Sequence, residues 1–494
     1  MREAHDVWQV RAAEAALMAL LPDGALMERA AAGLAATCAG LLGRVHGSRV
    51  VLLVGSGDNG GDALIAGARL ARRGARVDAL LLAPQRAHAG GLAALRGAGG
   101  RILPADALGF PAAAHDLVAA ADLVVDGIVG IGGRGGLRAP ADDLARAAAQ
   151  SRAVVVAVDL PSGVDADTGA VAAEAVRADV TVTFGTWKPG LLVDPGASYA
   201  GAVELVDIGL QPPAPVLRAP QHVDIAALLP TPARETDKYA RGVLGLAAGS
   251  ERYPGAAVLA AGSALRAGVG ALRYLGPRAV ADAVVSAHPE VMAGSGRVQA
   301  YAVGPGLDTG EEARGRFAAA LDGGVPVLVD ADALTLLAEA GPKALEGVPG
   351  ALLTPHAGEA VRLLAGLGES PTRADVEAER LTWAVRLAAG YDATVLLKGS
   401  TTVVADPRGE VWVNPTGTPY LATAGSGDVL TGVAGALLAA GLTPAEAAVA
   451  GAYLHGLAGR IASDGDVPCA ASDVSAALPA AWRAVREAGA PDEE

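Results

Sequence analysis

Short β-branched runs that end in glycine and aspartate set the tightest limit on what this chain can fold into. Arg49–Val54 leads into Gly55-Ser56-Gly57-Asp58-Asn59-Gly60-Gly61-Asp62. A run at 123–126 leads into Asp126-Gly127-Ile128-Val129-Gly130-Ile131-Gly132-Gly133-Arg134-Gly135-Gly136. A third, at 153–158, leads into Asp159-Leu160-Pro161-Ser162-Gly163-Val164-Asp165. Runs this short and apolar read as strands buried on both faces. Helix-like stretches separate them, which predicts a parallel sheet covered by helices on both sides. The strand ends then share one edge, where open sheets bind ligands.

Helical stretches near 4–20 and 25–42, broken at Pro22-Asp23-Gly24, precede the first strand. A helix at 61–73, a strand at 77–82, and strands at 180–184 and 203–206 complete this region. Gln211-Pro212-Pro213-Ala214-Pro215 reads as a semi-rigid linker. Beyond it the rhythm restarts, with strands at 243–248, 300–303, 325–329, 351–353, 394–397, 401–404 and 411–413. A helix is expected at 255–267 and mostly helix from Gly427 on. The pattern predicts two α/β domains, 1–212 and 221–494, with Pro491-Asp492-Glu493-Glu494 as a solvated tail.

Composition narrows the function. Hydrophobic residues make up 52% of the 494 residues, enough for large cores, while aromatics at 3% disfavour a base-stacking surface. A formal net charge of -14 repels polyanions, so no nucleic-acid partner is expected. Cys38 and Cys469 are the only cysteines, which suits a reducing compartment. The opening Met1-Arg2-Glu3-Ala4-His5-Asp6 lacks a signal-peptide pattern, and Gly, Arg or Asp interrupts each apolar run before about 18 residues. A cytoplasmic location and no membrane span are expected. Lysine is rare: Lys188, Lys238, Lys343 and Lys398 are the full set.

In the first half, the Gly55–Asp62 turn lets backbone approach a pyrophosphate at a helix start. A tight, capped βα turn is the plainer reading. Asn59, Asp126 and Ser162 offer oxygen ligands of the kind hard cations prefer, and Asp159 offers an acid or base. These segments, with Leu26-Met27-Glu28-Arg29-Ala30 and Phe184-Gly185-Thr186-Trp187-Lys188-Pro189-Gly190, resemble the NAD(P)H-hydrate epimerase domain, a Rossmann-like three-layer fold. The resemblance covers most of 1–210. It implies K⁺ on Asn59, Asp126 and Ser162. It implies substrate contacts from Asp58, Asn59, Gly60, Gly61 and Asp62, from Gly130, Ile131, Gly132, Gly133, Arg134, Gly135 and Gly136, and from Asp159, with Asp159 also catalytic. The family often has Asn where this chain has Asp58.

In the second half, Ala424-Gly425-Ser426-Gly427-Asp428-Val429-Leu430-Thr431-Gly432 places exposed N–H groups and a carboxylate at a helix start. Such a site can hold phosphate while Asp428 takes a proton. Thr354-Pro355-His356-Ala357-Gly358-Glu359 and Lys398-Gly399-Ser400-Thr401-Thr402 follow strands. His356 alone reads as a structural hydrogen-bonding residue or a ligand contact, and Lys398 as a hairpin turn or a phosphate grip. Asp330 and Asp332 read as helix caps. Together the motifs resemble the ADP- or ATP-dependent NAD(P)H-hydrate dehydratase, a ribokinase-like α/β fold, over roughly 235–480. The resemblance implies that Ala256, Gly306, His356 and Asp428 contact the hydrated nucleotide, and that Lys398, Gly399, Ser400, Thr401, Thr402 and Gly427 contact ADP (or ATP), with Mg²⁺.

The expected activity is therefore bifunctional: epimerisation of S- and R-NADHX and NADPHX, and nucleotide-dependent dehydration of the S form, with Asp428 catalytic. A homo-oligomer is expected. ADP is the favoured donor by resemblance. The rival reading is a ribokinase-like small-molecule kinase fused to a nucleotide-binding scaffold.

Overall fold

A computed structural model describes residues 1–489, so the expected tail at 491–494 lies outside the described residues. The chain forms two compact units, Glu3–Leu217 and Met1–Arg2 with Arg218 onward.

In the first unit the strands are β1 (Arg49–Val54), β2 (Arg76–Leu81), β3 (Arg101–Pro104), β4 (Leu123–Gly127), β5 (Val154–Val158), β6 (Val180–Phe184) and β7 (Ala202–Val206). They make a parallel sheet in the order β3-β2-β1-β4-β5-β6-β7. Alternate residues of β1 point to opposite faces. Val50, Leu52 and Val54 join one core with Leu34 and Leu64, while Val51 and Leu53 join another with Phe110 and Leu144. The result is the expected three-layer, Rossmann-like sandwich. Each fully buried Val or Leu contributes about 1.5–3 kcal/mol to holding the layers together.

Arg29, Gly33 and Gly40 interrupt the apolar run at Ala25–Leu42, as expected. This helix is long and apolar enough to cross a membrane by length and composition. Its Ala30, Ala31, Leu34, Ala35, Cys38 and Ala39 are buried in the first unit, and its Glu28 pairs with Arg69 at 2.6 Å. It is built as a core helix of that unit.

In the second unit, β8 (Val243–Ala247), β9 (Ala271–Tyr274), β10 (Met292–Ala293), β11 (Ala300–Val303), β12 (Val327–Val329), β13 (Ala351–Leu353), β14 (Thr394–Leu397), β15 (Val403–Ala405) and β16 (Val411–Val413) lie in the order β16-β15-β14-β13-β12-β11-β8-β9-β10. From β14 to β10 all neighbours are parallel, so their C-terminal ends meet along one edge. The β14–β15–β16 pairings are antiparallel. Ser426–Ala439 is an almost wholly buried helix whose Val429, Val433 and Leu437 share a core with Leu244, Leu246 and Leu328. Packing on both sides fixes where its N-terminus points.

The expected strand at 401–404 begins two residues later, because Thr401 and Thr402 belong to the turn after Lys398. The short strands β3, β9 and β10 were not expected from the sequence.

Candidate active sites

The chain leaves β1 toward β2 and leaves β4 toward β5, in opposite directions across the sheet. A crevice therefore opens between the ends of β1 and β4. Asn59 and Asp126 lie at that crevice. The Asn59 amide donates to the Val158 carbonyl at 2.9 Å, which leaves its Oδ1 toward Gly130. A Cβ on residue 130 would stand 2.7 Å from that oxygen, so only glycine lets the loop come this close.

Asp126 is fully buried. Its Oδ1 accepts from Ser162 Oγ at 2.6 Å and from the Ile128 N–H at 3.2 Å, and Oδ2 accepts from the Ser162 N–H at 2.8 Å. Burial pushes its carboxyl up to about 6 against these donors. No cationic side chain pairs with it among the described residues. Asn59 Oδ1, the Asp126 carboxylate, Ser162 Oγ and the Val129 carbonyl, 3.0 Å from that hydroxyl, form an all-oxygen set with one negative charge. Such a set fits a hard monovalent cation.

Asp159 follows β5 with φ +66°, a left-handed conformation that non-glycine residues adopt at a cost. Its Oδ1 accepts from Lys188 Nζ at 2.5 Å, Thr183 Oγ1 at 3.2 Å and the Phe184 N–H at 3.3 Å. Lys188 is 1% exposed and also donates to Thr183 Oγ1 at 2.9 Å and the Phe184 carbonyl at 3.1 Å. Two more carboxyls crowd this pair. Burial, then the charges of Asp159, Asp58 and Glu14, push Asp62 well above the usual range, and its buried Oδ1 has no partner. Glu14, on the helix Val7–Met18, is raised by burial and by Asp159. Asp58 is exposed in the first turn of the helix Asp58–Arg72, where its charge suits the helix dipole. Gly60 and Gly61 are buried in that turn, whereas the loop from Ile131 and Gly132 through Gly133, Arg134 and Gly135 to Gly136 is partly or fully exposed.

In the second unit the site residues gather at the ends of β8, β11, β12, β13 and β14. Ala256 lies in the first turn of the helix Pro254–Arg266 after β8. Gly306 follows β11 at φ +58°, and a Cβ there would come within 2.9 Å of Ala256 Cβ, so glycine holds the two loops face to face. His356 caps the helix Ala357–Gly366, its Nδ1 accepting from the Gly358 and Glu359 N–H groups at 3.0 and 3.2 Å. An acceptor Nδ1 requires the proton on Nε2, and burial lowers this imidazole's pKa. His356 also bridges to Lys398, whose N–H donates to the Pro355 carbonyl at 2.8 Å. His356 is thus a helix cap that also lies beside Lys398.

Asp330, at the end of β12, is no cap. The helix Asp332–Ala340 has no side-chain cap bond. Asp330 is 1% exposed; its Oδ1 accepts from Lys398 Nζ at 2.7 Å and Thr354 Oγ1 at 2.8 Å, and its Oδ2 from Thr431 Oγ1 at 2.7 Å. Burial would raise this carboxyl, but Lys398 and the three bonds hold it below its ordinary value. Burial likewise opposes the charge on Lys398, yet Asp330, Glu359 and Asp428 hold its ammonium above the ordinary value. Asp332 instead accepts the Asp308 N–H at 2.8 Å.

Asp428 stands in the first turn of the helix Ser426–Ala439, and its carboxylate makes no hydrogen bond among the described residues. Burial, then the charge of Asp330, pushes its carboxyl up to about 6, with Lys398 opposing. A Cβ on Gly427 would lie 3.5 Å from Lys398 Nζ, so lysine, His356 and the Gly425–Asp428 turn meet on one side. Ser426 beneath them meets the buried His455 at 3.2 Å. Gly399 and Ser400 are exposed, whereas Thr401 is buried.

Residues 23–190 match the family described as YjeF-related protein N-terminus, and 244–480 match that described as NAD(P)H-hydrate dehydratase. The bifunctional NAD(P)H-hydrate repair enzyme of Mycobacterium leprae is 47% identical over 487 residues, covering 96% of this chain and 97% of its own. That of Moorella thermoacetica is 38% identical, covering 84% of each. Among solved structures, the ADP/ATP-dependent NAD(P)H-hydrate dehydratase from Bacillus subtilis, co-crystallised with ATP and Mg²⁺, is 30% identical over 54% of this chain and 97% of its own, with a TM-score of 0.49. The chain belongs to the bifunctional NAD(P)H-hydrate repair enzymes. This repair enzyme joins a Rossmann-like NAD(P)H-hydrate epimerase unit to an α/β NAD(P)H-hydrate dehydratase unit. The rival kinase-plus-scaffold reading is set aside.

The sequence reading of the repair enzyme missed Lys188 as the partner of Asp159, Glu14 as its neighbour, and Asp330, Thr354 and Thr431 as a set. Lysine scarcity was the available signal: of four lysines, two sit in the sites.

Proposed function

We propose that each activity runs in its own unit around one aspartate: Asp159 for epimerisation and Asp428 for dehydration. The observation that carries this reading is the Asp428 carboxylate, raised to about 6 and without a hydrogen bond, at the start of a buried helix. A carboxylate in that state is ionised at neutral pH yet basic enough to take a hydroxyl proton. Asp428 takes the proton of the C6 hydroxyl as that oxygen bonds to the terminal phosphorus of ADP or ATP, and the bridging P–O bond breaks to release AMP or ADP. The N–H groups of the Gly425–Gly427 turn and the Lys398 ammonium meet the charge on the phosphoryl oxygens. Phosphate then leaves C6, a proton leaves C5, and the ring double bond of NADH or NADPH is restored. Hydroxide would be a far poorer leaving group.

Mg²⁺, held by the nucleotide phosphates, would neutralise their charge. Among the described residues no group of three or more His, Cys, Asp or Glu is placed to hold a metal ion, which fits an ion that arrives with its nucleotide. Ala256, Gly306 and His356 line the side where the hydrate would lie, and Lys398 to Thr402 with Gly427 the side for the nucleotide.

In the first unit Asp159, fixed by Lys188, handles the proton of the C6 hydroxyl while the stereocentre is lost and re-formed. Asn59, Asp126 and Ser162 would hold K⁺, which supplies a fixed positive charge beside the substrate. Residues 58–62 and 130–136 would border the hydrate.

S-hydrate incubated with Mg²⁺ and either ADP or ATP tests the second unit. NADH and inorganic phosphate should appear in equal amounts. A stable phosphoester without NADH would overturn the reading. R-hydrate without nucleotide, in K⁺ and then in tetramethylammonium, tests the first: S-hydrate should form faster in K⁺, and equal rates would remove the ion from the account.

A further inference from the structure

Asp330 ties together four elements of the dehydratase unit, although no role was assigned to it above. It lies at the end of β12, and its partners come from the ends of β13 and β14 and from the Asp428-bearing helix. Both of its oxygens are engaged, and it is 1% exposed, so it is not a surface for ligand. We propose that Asp330 is a positioning residue of the dehydratase: it takes the Lys398 ammonium and the Thr431 hydroxyl on its two carboxylate oxygens, and so keeps Lys398 beside Asp428 without letting it pair with Asp428. This rests on the reading of Asp428 as the base.

The physical reason is competition for one cation. The anions facing Lys398 are Asp330 at 2.7 Å, Glu359 at 3.9 Å and Asp428. Those facing Asp428 are Asp330 and Asp332, with Lys398 the one facing cation. His356, next to Lys398, faces Glu359, Arg362 and Asp330 as well. With a neutral residue at 330, the ammonium has only Glu359 and Asp428 left to answer. A salt bridge to Asp428 would then form, as Lys188 already makes with Asp159. Paired in that way, Asp428 becomes a weaker base. The Thr431 bond is the second half of the device, since it ties the same carboxylate to the helix one turn past Asp428.

Asp330→Asn, in the full chain, tests this. Dehydration of S-hydrate should lose about 10- to 100-fold in kcat, with KM for the hydrate within about threefold. The acid limb of the kcat profile should move down by about one pH unit as Asp428 is freed of Asp330 and gains Lys398. Epimerisation in the other unit serves as the internal control and should stay within about twofold of wild type. A kcat within twofold of wild type overturns the proposal, and so does a large loss with the acid limb unmoved, which marks a merely structural residue. Thr431→Val keeps every charge and is read alongside in case the asparagine variant does not fold. It should lower kcat about 3- to 10-fold at unchanged KM, and an unchanged kcat overturns the proposal. Asp428→Asn is assayed in the same series. If it retains dehydration, the base assignment has failed, a result that the variants at 330 and 431 cannot mimic.

Discussion

Each half of the molecule places an aspartate and a lysine at the ends of parallel strands, and the two halves use the lysine differently. In the epimerase unit Lys188 bonds Asp159 directly at 2.5 Å. In the dehydratase unit Lys398 bonds Asp330 at 2.7 Å, and the Asp428 carboxylate has no hydrogen bond among the described residues. Lys188 holds the Asp159 carboxylate in place; Lys398 is drawn to Asp330, and burial, then the charge of Asp330, leaves Asp428 raised, to about 6. The same two residue types are therefore paired directly in one unit and kept apart by a third residue in the other. The difference lies in which aspartate takes the lysine: Asp159 itself in one unit, Asp330 rather than Asp428 in the other. In the epimerase unit two further carboxyls, Asp62 and Glu14, stand near Asp159, both pushed upward by burial and crowding.

The sharpest way to break this contrast is Asp428→Asn. Loss of a general base should lower dehydration by about 10²- to 10⁴-fold while epimerisation continues, read by NADH formation and by chromatography of the two epimers. Next is Lys188→Met, which strands Asp159 in the interior without its cation. The first unit should lose about 3–5 kcal/mol, seen as an earlier unfolding transition, with the dehydratase still active. An unchanged transition would mean that Asp159 is not held as described. A third test uses pH. Asp428 must be ionised to act, so dehydration should fall about tenfold per unit below about pH 6. A profile flat down to pH 5 would contradict the raised carboxyl. The smallest effect is on stability. A folded-state carboxyl raised above its unfolded value disfavours folding at pH above that folded value, and the penalty vanishes below the unfolded value. Asp428→Asn should therefore stabilise the second unit by about 2 kcal/mol at pH 8 and by nothing near pH 3.

Much of this was legible in the sequence for physical reasons. β1, β6, β11, β13, β14 and β16 have the bounds that their β-branched runs indicate, because strands buried on both faces leave an uninterrupted apolar signal. The turns at Gly55–Asp62 and Gly425–Asp428 were readable as helix starts, because glycine and an acidic residue are favoured there. β3, β9 and β10 were not, being two to four residues long with Arg or Pro among them. Asp330 was misread because an aspartate before a helix looks like a cap. Its true partners, Lys398 and Thr431, stand 68 and 101 positions away, a separation that no local pattern carries. Lys188 stood in a recognised segment, yet its bond to Asp159 spans 29 positions and became visible only in the fold. Glu14 lies in the helical stretch expected near 4–20, and its nearness to Asp159 became visible only in the fold.

Complementation between two crippled chains is the most direct test that the carboxylates at 159 and 428 serve separate reactions in separate units. R-hydrate, with ADP or ATP and Mg²⁺, is given to Asp159→Ala alone, to Asp428→Asn alone, and to an equal mixture. Each variant alone should form NADH no faster than spontaneous epimerisation or background allows, and the mixture should approach the wild-type rate. Rapid NADH formation by Asp428→Asn alone, or a mixture no better than its parts, would contradict the account.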